Sequence, residues 1–149
     1  MTENKFGKPS GPLAGRLNAN DDSHSIFVLY GEHDFSAATA KDTDFGALGF
    51  KATLIGGYVS VTQVKDGTNA TDTIKISSAV TGGTPLASTI TITKTDTVYS
   101  NVVGNCLGIA PLAAGTDVAA TAHIYAYTAA DGTRSTGKAR IALFFQKSA

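Results

Sequence analysis

The chain has 149 residues, with 12 Lys+Arg set against 12 Asp+Glu and 42% hydrophobic residues. That length suits a single domain able to bury roughly 68–70% of its unfolded surface, and one Cys cannot form an intramolecular disulfide. A zero net charge argues against a nucleic-acid partner, which would call for a basic excess or stripe. No apolar run approaches the roughly 18–20 residues of a membrane-spanning helix.

Residues 1–25 are predicted to form an extended arm. Gly7, Pro9, Gly11, Pro12 and Gly15 break any helical or strand periodicity. Phe6, Leu13 and Leu17 are unusual in a purely entropic tail, and Lys5, Lys8 and Arg16 make the segment basic. Lys5, Phe6, Lys8, Pro9, Pro12, Leu13, Arg16 and Leu17 are therefore the candidate partner-contacting residues. No apolar core of a secretory signal is visible at the N-terminus, so synthesis in the cytoplasm is expected.

Residues 26–149 are predicted to form one all-β domain. Thr and Ala are abundant, there are 16 Gly, and Glu3 and Glu32 are the only glutamates. Thr loses rotamer freedom in a helix and packs well on a pleated surface. Ile26 to Tyr30 is a continuous apolar run, fit for a strand buried on both faces. Residues 35–50 are ambiguous between a helical turn at Ser36–Ala40 and irregular chain anchored by Phe45 and Phe50. Lys51 to Val64 reads as a strand with a bulge or bend at Gly56-Gly57, Val59 and Val61 sharing one face. Ile74 and Ile76 alternate with Thr73, Lys75 and Ser77, and Ile90 and Ile92 with threonines, both half-buried patterns.

Thr97 to Val103 is a weaker strand, and Gly104 to Gly115 a loop. Val118 to Tyr127 and Lys138 to Lys147 are expected to close as a hairpin. About eight strands joined by Gly-rich turns fit an antiparallel β-sandwich, jelly-roll-like in this size range. An immunoglobulin-like sandwich is the alternative, but its Cys…Trp…Cys core is missing.

Motifs for catalysis are sparse, and no enzyme is expected. G-x-S-x-G, P-loop, H-E-x-x-H and C-x-x-C patterns do not occur. Cys106 reads as a small buried hydrophobe. Glu32 and Asp34 would share one side of a strand, as two glycosidase carboxylates must, but with His33, Asp42 and Asp44 nearby an acidic loop is the simpler reading. His24 beside Asp21 and Asp22, and His33 beside Glu32 and Asp34, lack the spacing of a structural zinc or calcium site. No catalytic, cofactor or metal residue is assigned. Tyr58, Tyr125 and Tyr127 could form an aromatic strip; with His123 they are the candidate subunit interface. The acids Glu32, Asp34, Asp42 and Asp44, and the bases Arg134, Lys138, Arg140 and Lys147, form opposite patches able to meet between subunits.

Phe50-Lys51-Ala52-Thr53-Leu54-Ile55-Gly56-Gly57-Tyr58-Val59-Ser60-Val61 is followed by Asp72-Thr73-Ile74-Lys75-Ile76 and Gly82-Gly83-Thr84-Pro85-Leu86. Pro111 to Val118 then precedes the last strands. Over roughly residues 45–147 this order resembles small jelly-roll structural proteins of tailed bacteriophages: head decoration (cement) proteins and related virion proteins. The resemblance implies a non-enzymatic virion component, often a homotrimer, bound to the major capsid protein on the capsid exterior and stabilising the head. The arm residues would then contact the capsid. A fibre-tip, host-surface or carbohydrate-binding module of a virion is the alternative. Neither nucleic acid nor membrane is expected as a partner.

Overall fold

The computed structural model describes residues 25–95, 100–113 and 117–148. The arm residues Lys5, Phe6, Lys8, Pro9, Pro12, Leu13, Arg16 and Leu17 lie outside the described residues, as does His24. Nine strands follow one another: β1 (Ile26–Asp34), β2 (Lys41–Ala47), β3 (Ala52–Gln63), β4 (Thr71–Ser77), β5 (Ile90–Thr93), β6 (Cys106–Gly108), β7 (Asp117–Val118), β8 (His123–Thr128) and β9 (Lys138–Lys147).

They form two antiparallel sheets. One has the order β1-β9-β3-β6, with β7 also pairing β3; the other runs β2-β8-β4-β5. The chain crosses from sheet to sheet at almost every connection, and β4–β5 is the consecutive pair that hydrogen-bonds directly. With β7 as a short addition, this is the eight-stranded, doubly wound order of a jelly roll. The all-β sandwich is therefore as expected.

The core fills the space between the sheets. Leu54, Val59, Val61, Ile141, Leu143 and Phe145 enter it from the first sheet, and Ile74, Ile76, Ile92, Ile124 and Ala126 from the second. Each set follows the period-two alternation of its strand, except that in β3 the register shift between Leu54 and Gly56 changes the parity, so Leu54 and then Val59 and Val61 all face inward. Two glycines make close approaches possible. A Cβ on Gly31 would stand 2.6 Å from Phe45, whose ring packs across β1 at that point. A Cβ on Gly57 would stand 2.3 Å from the Ala142 carbonyl oxygen, next to the register shift between Leu54 and Gly56.

Several local expectations are corrected. The last two long strands are not a hairpin: β8 pairs with β2 and β4, whereas β9 pairs with β1 and β3 in the opposite sheet. Each carries its own inward apolar row, so each needs a facing layer more than it needs the other. The strand expected from Val118 to Tyr127 is split by a turn in which Ala122 N donates to Ala119 O. Residues 41–47 form β2, and residues 100–104 form turns while β6 lies in the segment expected to be a loop.

Candidate functional site

The most distinctive surface lies on the outer face of the first sheet. Phe27, Leu29 and His33 of β1 point inward, which sends Ile26, Val28 and Tyr30 outward at 60%, 58% and 56% exposure. The expectation that this run is buried on both faces holds for the inner face only. Register extends the apolar rows inward from the edge. Val28 stands opposite Phe144, which stands opposite Gly56; Tyr30 stands opposite Ala142, which stands opposite Tyr58. The Tyr58 and Phe144 rings meet edge-on with centroids 6.2 Å apart. Ala142 is 2% exposed although it faces outward, because larger side chains flank its methyl group on both neighbouring strands.

Charged residues close this face at one end. Glu32 is in register with Arg140 and Asp34 with Lys138. Of the opposite patches read from the sequence, Glu32 and Asp34 thus meet Arg140 and Lys138 within one chain, whereas Asp42 and Asp44 lie on β2 in the other sheet and Arg134 is buried against Asp72. Asp34 also accepts from Ser36 N at 2.9 Å and Ser36 Oγ at 2.5 Å. The Ser36 hydroxyl, then its amide, holds the Asp34 carboxyl below the usual carboxylate range. Glu32 and Asp34 are therefore a strand end with cross-strand partners and not an acidic loop.

The outer face of the second sheet is polar and aromatic. His123 Nδ1 lies 2.8 Å from Asp44 Oδ2, and its ring stacks on Tyr125 at 6.3 Å. Tyr127 sits in register between Asp42 of β2 and Lys75 of β4. The Gly46 amide, then the His123 ring, lowers the Asp44 pKa. Tyr58 and the group His123, Tyr125 and Tyr127 therefore occupy opposite outer faces of the sandwich. The single aromatic strip expected from sequence is divided, because Tyr58 belongs to β3 and the other three to β8.

Between the sheets runs a buried polar seam. His33 is 0% exposed; its Nδ1 lies 2.7 Å from Thr43 Oγ1 and its Nε2 2.8 Å from Thr128 Oγ1. Burial pushes its pKa down from 6.5 to about 4, so the ring is neutral at physiological pH. With both nitrogens engaged by hydroxyls, His33 fastens β1 to β2 and β8 and offers no lone pair to a metal. Nearby, Arg134 Nη1 stands 2.8 Å and Lys65 Nζ 3.5 Å from Asp72 Oδ2, with both basic side chains 0% exposed. Arg134 Nη2 also donates to Ala37 O and Ala129 O, each at 3.1 Å. These bonds pin the loops at one end of the sandwich.

Among the described residues, no three His, Cys, Asp or Glu side chains converge as a metal-binding group. Cys106 is exposed on β6 and not buried as expected. On this three-residue strand Leu107, opposite the buried Val59, is the side chain that packs against the core, so the alternation turns Cys106, opposite Ser60, to the outside.

No family model matches the chain, and no curated protein matches it. Among solved structures, the chain is similar to one described by the words "Bacillus endospore appendages form a novel family of disulfide-linked pili". The identity is 18% and the TM-score 0.40, over 83% of this chain and 89% of that one. At this degree of overlap it says nothing of what the present chain does.

Proposed function

We propose that this chain is a structural protein of a tailed-bacteriophage particle that binds the outer capsid surface and cements the head. It works by shape and contact area, without catalysis. The observation that most supports this reading is the apolar outer face built from Val28, Phe144, Tyr30, Ala142 and Tyr58. Val28 and Tyr30 are more than half exposed there and Phe144 and Tyr58 half-buried, and aromatic and aliphatic side chains on a rigid sheet are what the buried centre of a protein interface is made of. The arm, with Lys5, Phe6, Lys8, Pro9, Pro12, Leu13, Arg16 and Leu17, reaches the major capsid protein.

The energetics favour a homotrimer. Ordering an arm costs about 1–2 kcal/mol per residue in backbone entropy, while burying Phe6, Leu13 and Leu17 returns about 1.5–3 kcal/mol each. One arm does not hold itself down by side-chain burial, whereas three linked arms bind with a high effective concentration. Removing residues 1–20 is expected to leave a folded domain that no longer attaches to capsids. Undiminished attachment would rule out the arm as the clamp.

A second reading places a carbohydrate or host-surface ligand on the other sheet. It is favoured by the stack of the exposed His123 on the half-buried Tyr125 beside Asp44, an aromatic surface with a hydrogen-bonding carboxylate at its edge. A glycan array separates the two: a cement protein shows no preferred sugar, and a binding module does.

A further inference from the structure

The outer face of the first sheet changes character along its strands and again across them. Taken along β1 and β9, its rows pair Val28 with Phe144, Tyr30 with Ala142, Glu32 with Arg140 and Asp34 with Lys138. Two apolar rows are thus followed by two charged ones. Across the rows the two strands differ in kind. β1 supplies the projecting Tyr30 ring and both acids, while β9 supplies the small Ala142 and both bases at the same levels. Ala142 is the low point of the face, lying between Tyr30 on β1 and Tyr58 on β3. Val28 and Tyr30 are more than half exposed, and Glu32 and Arg140 are exposed with them.

Such a face matches itself under one kind of symmetry and clashes under others. Rotation about an axis that lies along the strands keeps every row at its own level. With β1 of one copy set over β9 of the next, Tyr30 lies over Ala142, Val28 over Phe144, and Glu32 and Asp34 over Arg140 and Lys138. Bulk meets the low point, apolar meets apolar, and acid meets base. Setting β1 on β1 would oppose Glu32 to Glu32. An axis across the strands would lay the charged rows on the apolar ones, desolvating charges without partners.

We infer that this face joins copies of the chain around an axis running along the strands, with β1 of one copy packed on β9 of the next. Sheets that pack face to face keep their strands within about 30° of one another, and an axis along the strands provides that alignment. The copy number of three rests on the homotrimer reading above; the choice of face and of axis rests on the rows alone. The sheet then joins the copies and leaves contact with the capsid to the arm residues.

The test uses the full chain and reads its mass in solution by sedimentation. The native chain is expected to be a trimer at micromolar concentration. Val28→Asp with Tyr30→Asp should weaken association at least a hundred-fold, while Thr91→Asp, on the opposite sheet, leaves it unchanged. A monomeric native chain, or a double variant that assembles as the native chain does, overturns the inference. Should the double variant fail to fold, crosslinking decides. In a Cys106→Ser background, chains carrying Tyr30→Cys are mixed with distinguishable chains carrying Ala142→Cys and mildly oxidised. A reducible crosslink joining one chain of each kind is expected, and its absence overturns the inference. A dimer that forms this crosslink upholds the face and the axis and overturns the homotrimer, so the two readings fail separately.

Discussion

His33 Nε2 lies 2.8 Å from Thr128 Oγ1, across the gap between the two sheets and 95 residues away in sequence. A buried hydrogen bond of this kind is worth little by itself, but leaving either partner unpaired in the core is costly. Its strength depends on the imidazole staying neutral, which links the seam to pH.

Stability is therefore expected to fall between pH 6.5 and 4. The folded-state pKa of His33 is depressed from 6.5 to about 4, so in that window the unfolded chain takes up a proton that the folded chain refuses. The contribution is fully present above pH 6.5 and lost as the pH falls through 4. At about 1.4 kcal/mol per pH unit it amounts to about 3 kcal/mol. Asp34, Asp44 and Asp117, whose pKa values are lowered, give up their share only below the ordinary carboxylate range. Urea unfolding at pH 7 and pH 4 should show the loss in the native chain and a much smaller one in His33→Gln. Equal losses in the two would contradict it.

Arg134→Ala should destabilise the fold by about 3–5 kcal/mol, because it leaves the buried Asp72 carboxylate with Lys65 alone and frees two loop carbonyls. Chemical denaturation measures this. A change below about 1 kcal/mol would mean that the loops carrying Ala37 and Ala129 stay in place without the guanidinium.

Gly57→Ala should cost more than about 1 kcal/mol, since the new methyl group would meet the Ala142 carbonyl oxygen at 2.3 Å. Gly108→Ala, where a Cβ meets nothing within 4 Å, is the matched control in the same sheet and should be nearly neutral. Thermal unfolding of the pair compares them.

The faces of the strongly alternating strands were legible in the sequence. Ile74 and Ile76, Ile90 and Ile92, and Val59 and Val61 all point inward as the period-two pattern requires. β2 was hidden because, among the described residues, it is an edge strand paired with β8 alone, and its Lys-Asp-Thr-Asp-Phe-Gly-Ala sequence carries one large apolar side chain. Strand partnership was hidden for another reason: periodicity reports which face is buried, not which strand lies alongside, so β8 and β9 looked like a hairpin. His33 was findable. Phe27, Leu29 and His33 share one parity along β1, which places the imidazole on the inner face even though its neighbours Glu32 and Asp34 suggest a polar loop.

Cys106, exposed on β6, should react with a thiol reagent in the native chain at a rate close to that in denaturant, with the fold unchanged afterwards. Protection until unfolding would show that something covers this edge.

Imaging of particles assembled with and without this chain separates the cementing role from every other. The expected result is added density on the outer capsid surface, joining neighbouring capsid subunits, and greater resistance of the decorated heads to heat. Particles that neither carry the chain nor change in stability would contradict it.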